Sequence, residues 1–168
     1  SLSSMAKGGI YDHVGGGFHR YSTDAEWKIP HFEKMLYDNS QLSYLYLDCW
    51  KITKNIRFKE ISENIIEYIK KEMISKEGSF FASQDAHSEG VEGKFFLWSK
   101  VEIYKILGNR DGKRFSEVFD ISETGNFESQ NIIIERKNID LSADEREEIK
   151  IFLSKLYEQR LKRIAPLT

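Results

Sequence analysis

A chain of 168 residues can build one domain with a real hydrophobic core and is too short for two comfortable ones. A formal net charge of −2 and a pI near 6.1 give no electrostatic reason to bind nucleic acid, which demands phosphate neutralisation. No run of about 18 apolar residues is present to span a bilayer, and a single cysteine, Cys49, excludes an internal disulfide or a CxxC redox pair.

Nothing reads as a signal peptide, and with one cysteine a reducing, cytoplasmic location is expected. Aromatic residues make up 13% of the chain, and most are expected in the core. Tyr21, Trp27 and Trp98 differ because they sit inside polar motifs, where a ring offers a stacking face.

In chain order, Ser1 to Lys7 reads as the last turns of a helix, with Gly8 and Gly9 as its stop. Gly17 to Ser22 is a short strand-like piece. Between Asn39 and Lys54, Leu42, Leu45, Cys49 and Ile52 recur at helical spacing and predict a buried stripe that includes the thiol. Phe58, Ile61, Ile65, Ile69 and Met73 predict the clearest helix. Ser79 to Ser83 and Lys94 to Trp98 read as strands joined into a hairpin by the turn Asp85 to Gly93. Ser99 and Glu102 form a capping-box pattern that opens a short helix through Leu107. A weaker helix holds Phe115, Val118 and Phe119, and Asn131 to Glu135 is strand-like. Ser142 and Glu145 repeat the capping signature before a last helix carrying Ile149, Phe152, Leu153 and Leu156. The pattern is mainly α with small β-hairpins, and no βαβ rhythm supports a Rossmann-type fold.

All four histidines, His13, His19, His31 and His87, lie in the first 87 residues beside Gly, Pro or charged groups. Three polar clusters contain them. Gly15-Gly16-Gly17-Phe18-His19-Arg20-Tyr21 can turn tightly or line a site, but no Walker lysine follows. Trp27 to Asn39 contains Pro30, which pre-sets a helix start, and then His31, Glu33 and Asp38. His31 and Glu33 are two residues apart and share no face of a regular helix, so they converge only in a loop or first turn. Gln84 to Gly93 gathers Asp85, His87, Glu89 and Glu92 in a loop without a calcium or zinc signature. Metal-free acid/base chemistry is therefore expected ahead of a metal or other cofactor. No GxSxG elbow supports a nucleophilic serine.

Several motifs in order carry a resemblance: Met5 to Asp12, Gly15 to Tyr21, Pro30 to Asn39, Asp85 to Gly90, Glu92 to Trp98 and Gly125 to Glu128. Together they resemble the thioredoxin-domain-containing family related to spermatogenesis-associated protein 20, over nearly the whole chain. That resemblance implies a thioredoxin-like domain followed by a six-hairpin, glycosidase-like (α/α)6 toroid similar to N-acylglucosamine 2-epimerase. The chain would be a single-domain fragment, residues 1–168, from the first part of that toroid, truncated at both ends. Its tail, Arg160 to Thr168, would lead into the remaining hairpins. One departure is His87, where the family pattern carries Asp.

Toroids of this kind build their site at one end from loops between helices. The resemblance thus implies a carbohydrate-active site for a sugar or sugar acid. Its acid/base candidates are His19, His31, Glu33, Asp85 and Glu89, with Arg20, Tyr21, Trp27, Asp38 and Trp98 binding substrate. Hydrolysis needs two carboxylates roughly 5 to 9.5 Å apart, whereas epimerisation needs a base such as His19 or His31. The alternative is a non-catalytic binding or scaffold module beside the thioredoxin-like domain. A fragment of a toroid is also expected to expose apolar helix faces and to self-associate.

Overall fold

The computed structural model describes residues 1–168. Its order is α1 (Leu2–Met5), β1 (Tyr21–Ser22), β2 (Pro30–His31), β3 (Lys34–Met35), α2 (Leu36–Thr53), α3 (Ile56–Glu72), β4 (Ser83–Gln84), β5 (His87–Ser88), β6 (Val91–Glu92), α4 (Lys100–Leu107), α5 (Asn109–Val118) and α6 (Ala143–Arg160). The chain is mostly helical, and its strands form three separate two-stranded antiparallel pairs: β1 with β2, β3 with β4, and β5 with β6. No helix is long and apolar enough to cross a membrane.

Both serine caps form as their spacing predicts. Ser142 accepts from the Glu145 amide while Glu145 reaches back to the Ser142 amide, a complete capping box at the start of α6. Ser99 accepts from the Glu102 amide, but Glu102 turns instead to Arg163 at 2.8 Å. The helix α3 buries Phe58, Ile61, Ile65 and Ile69 as its periodicity requires, and α5 buries Phe115 and Val118.

The helix α2 departs from its expected stripe. Its buried face is Asn39, Ser43 and Tyr46. Leu45 is 45% and Ile52 82% exposed, while Leu42 and Cys49 are only half-buried. Apolar residues lie all around this helix, so hydropathy alone could not select the inner face. Hydrogen bonding selects it. Asn39 Oδ1 accepts from the Phe18 amide at 2.7 Å, and its Nδ2 donates to the carbonyls of Phe18 and Met35. Ser62 Oγ of α3 donates to the Ser43 carbonyl at 2.8 Å. These polar groups earn burial because each has a partner.

The strands are shorter than expected. Of the first piece, Tyr21–Ser22 forms a strand and Phe18 makes a single bridge to Tyr11, while Lys94 to Trp98 is mainly turn, with Trp98 bridged to Asn131. The hairpin lies within the segment read as a turn. β5 and β6 flank Glu89 and Gly90, which have φ of 53° and 76°. Two successive positive-φ residues match the twist of a tight two-residue hairpin.

Three apolar clusters hold the elements together. The first joins the N-terminal loop to α2 and α3 around Phe18, Tyr46, Ile61 and Ile65. The second gathers α4, α5 and α6 around Trp98, Phe115 and Leu156. The third, smaller, packs Phe32 against Phe95, Phe96 and Ile132. Between them sits a buried charged network, and it governs what the polar motifs do.

Candidate functional site

The segment Pro30 to Met35 is extended, with β2 and β3 at its two ends. In an extended chain, residues two apart point to the same side. Phe32 and Lys34 therefore point inward and are buried, whereas His31 and Glu33 face outward together. This corrects the expectation that the pair could meet only in a loop or helical turn.

Lys34 is fully buried. Its Nζ donates to Asp12 Oδ2 at 2.7 Å and to the Gly16 carbonyl at 2.9 Å, and lies over the Tyr68 ring at 4.2 Å. Arg160, at the end of α6, is also fully buried and donates through Nη1 to Asp12 Oδ1 at 2.8 Å. Its Nη2 is 4.0 Å from Glu72. Tyr157 donates to one Glu72 oxygen at 3.1 Å and Gln84 to the other at 3.2 Å. Burial alone would raise the Asp12 carboxyl, but Arg160 and then Lys34 hold it well below the usual carboxylate range. The three glycines serve this network. A Cβ on Gly15 would sit 1.7 Å from Arg160 Nη2, and one on Gly17, at φ +76°, would sit 2.5 Å from the Tyr68 ring. The glycine motif is thus a structural cradle for Arg160 and Tyr68.

The candidates now separate. His19 is buried, edge-on to Phe32 and Phe96, with Nδ1 2.8 Å from the Phe32 carbonyl. A carbonyl only accepts, so Nδ1 carries the proton. Burial, with the Lys34 charge adding to it, pushes its pKa down to about 3. His19 is a neutral core residue and is removed as an acid/base candidate. Asp85 closes its own turn, accepting from the His87 amide at 3.0 Å and lying 3.2 Å from the His87 ring, and those hydrogen bonds lower its pKa. Glu89 pairs with Lys94 at 2.8 Å. Trp98 is buried under the Arg163 guanidinium, 3.9 Å from its ring, so it offers no stacking face. Trp27 packs against the first core cluster, and its carbonyl takes the Ile10 amide.

The remaining candidates converge. The β1–β2 pairing sets Tyr21 opposite His31, and the exposed Tyr21 ring stacks on the imidazole at 5.1 Å and 24°. Arg20 Nη1 donates to Glu33 Oε2 at 2.7 Å. His31 Nε2 is 3.7 Å from that same oxygen. Its Nδ1 is 2.7 Å from Glu92 Oε1, across 61 residues of sequence. A carboxylate only accepts, so Glu92 holds a proton on Nδ1 and leaves Nε2 as the ring nitrogen beside Glu33. Asp38, in the first turn of α2, sits near Arg20 and Glu33; burial pushes its carboxyl up while Arg20 opposes this.

Glu92 was one of three carboxylates in its loop, with nothing in sequence to single it out. Its role depends on the β5–β6 register, which sets His87 across from Glu92 and turns Glu92 toward β2. The buried network left a fainter signal: a lysine at an inward position of an extended segment, between Phe32 and Met35. Among His, Cys, Asp and Glu no group of three or more is disposed to hold a metal ion.

No protein-family model matches the chain. Curated relatives do. Spermatogenesis-associated protein 20 of mouse is 34% identical over 85% of this chain, and its human counterpart is 31% identical over the same share; this chain covers 21% of each. An uncharacterised protein of Caenorhabditis elegans is 45% identical over 75% of the chain, which covers 19% of that relative. The chain thus spans about a fifth of the length of the curated relatives it matches, and across that span it is related to spermatogenesis-associated protein 20.

Proposed function

We propose that this segment contributes a carbohydrate-directed acid/base face centred on His31. The observation carrying the reading is an imidazole placed between two carboxylates, Glu92 at 2.7 Å and Glu33 at 3.7 Å, with an exposed aromatic ring stacked on one face. Glu92 orients the ring, and Glu33 stabilises the imidazolium that forms when Nε2 takes a proton. This is the logic of a base oriented by a carboxylate. Tyr21 offers an apolar face to a sugar ring, and Arg20 and Asp38 flank it with a donor and an acceptor.

Epimerase-like chemistry fits better than glycoside hydrolysis. Hydrolysis requires one carboxylic acid and one free carboxylate across the scissile bond. Here Glu33 and Glu92 are both engaged with His31, Asp85 with its own turn, and Glu89 with Lys94. Epimerisation needs a base that removes a proton beside a carbonyl, the part His31 supplies, and a second group that returns a proton to the opposite face.

We further infer that the segment belongs to an (α/α)6 toroid of a cytoplasmic protein that also carries a thioredoxin-like domain. Paired helices α2 and α3 and the resemblance of the motifs support this. A second reading, a non-catalytic scaffold, draws on the buried Asp12, Lys34 and Arg160 network, in which much of the polar motif serves the fold alone. The test is His31→Ala and Glu92→Gln in the full-length protein. The acid/base reading predicts loss of sugar turnover or binding with unfolding transitions unchanged. Retention of both would leave the scaffold.

A further inference from the structure

A second feature lies away from the His31 face, in the cleft between α3 and α6. Its outer chamber has a volume of about 290 Å³, bordered by the Gly15-Gly16 turn, and its inner chamber about 60 Å³. Tyr11, His13, Asn64 and Lys150 line both, so the two adjoin. The outer volume lies at the lower edge of the roughly 300–1,000 Å³ of ligand pockets, the size for one small molecule.

Its lining holds polar groups with hydrogen-bonding capacity left unused. Tyr11 Oη accepts from Asn64 Nδ2 at 3.1 Å, and its own proton is not donated to any protein group. His13 Nε2 is 3.1 Å from the Gly8 carbonyl, which fixes the proton on Nε2 and leaves Nδ1 as a lone pair. Glu60 lines the inner chamber, and its Oε2 is buried without any hydrogen bond. Of the three, Glu60 Oε2 is the buried atom with no hydrogen bond at all, an uncommon state. One donor and two acceptors at a floor are the complement of hydroxyl groups, which donate and accept at once.

The walls add a charge preference. The acids of the cleft are already engaged: Glu60 with Lys150 at 3.0 Å, Glu135 with Lys7 at 3.1 Å and Arg57 at 3.3 Å, and Glu67 with Lys70 at 3.2 Å. Lys71 at the outer wall and Arg146 at the inner wall have no acidic partner.

We propose that the α3–α6 cleft binds a small polyhydroxylated molecule bearing one anionic group, of the sugar phosphate or sugar acid class. Its hydroxyls meet Tyr11, His13 and Glu60, and its anion meets Lys71 or Arg146. The site is separate from the His31 face and stands or falls independently of it.

The test titrates the full-length protein, isotope-labelled, with glucose 6-phosphate, gluconate, glucose and inorganic phosphate, reading backbone amide NMR shifts along α3 and α6. Saturable shifts of Asn64, Lys71 and Ser154 are expected with one of the two hydroxylated anions. Each of Lys71→Ala and Arg146→Ala weakens the responding anion, and at least one does so by about tenfold, the 1.4 kcal/mol of one charge-assisted contact. His31→Ala leaves that affinity unchanged. No saturable shift by about 10 mM, equal binding of bare phosphate, or shifts that map to Tyr21 and His31 would each overturn the proposal.

Discussion

Replacing Asp12 with Asn probes the charge network that organises the motifs. Asp12 accepts from Lys34 at 2.7 Å and from Arg160 at 2.8 Å, and both cations are fully buried. Asn keeps the shape and one acceptor but removes the charge, so two buried cations face only Glu72, 4.0 Å from Arg160. Removing one member of a buried ion pair costs about 3–5 kcal/mol, because the partner's charge is left uncompensated. At about 2–4 °C per kcal/mol for a domain of this size, Tm should fall by roughly 6–20 °C. Urea denaturation followed by circular dichroism gives the free energy, and Asp120→Asn serves as control. Asp120 faces Arg136 at 3.4 Å on the surface, where a pair is worth about 0–1 kcal/mol. Equal, small effects of the two substitutions would refute the claim that the network stabilises the fold.

Other outcomes follow from the same geometry. Burial lowers His13 to about 4 and His19 to about 3, so the unfolded chain binds more protons than the folded one at intermediate pH. Their contribution is complete above the unfolded histidine value near 6.5 and is lost as pH falls from there through about 4 and 3, at about 1.4 kcal/mol per unit for each ring. Asp12, also depressed, adds to the loss once pH drops below its unfolded value near 3.9. Denaturation midpoints unchanged between pH 7 and 5 would contradict this. Gly15→Ala drives a methyl into Arg160 and should cost about 1–3 kcal/mol in the same assay. Ser142→Ala should cost about 1 kcal/mol by opening the α6 capping box. The outer face of α2, with Tyr44, Leu45 and Ile52 exposed, should promote self-association that Ile52→Asp reduces, and a clean monomer across a sedimentation concentration series would count against it.

Helices with one clean apolar stripe or a serine cap were legible in the sequence, because both signals are local: α3, α4, α5 and α6 follow them. The inner face of α2 was not, since Asn39 and Ser43 are buried through partners 21 and 19 residues away. The candidate face around His31 was half legible. Residue type marked Arg20, Tyr21, His31 and Glu33, but nothing local distinguished them from His19, which shares their motif and is buried by Phe32 and Phe96. Glu92 and Arg160 enter through contacts spanning 61 and 148 residues, which depend on hairpin register and helix docking.

The most direct test of the acid/base face is a titration of the full-length protein, labelled in its histidine rings, with aldoses, ketoses and sugar acids while the His31 nitrogens are watched by NMR. The free protein should hold the Nδ1–H tautomer, and one class of sugar should shift Nε2 saturably while Glu92→Gln loosens the tautomer. A ring without that tautomer preference, or indifferent to every sugar, would contradict it.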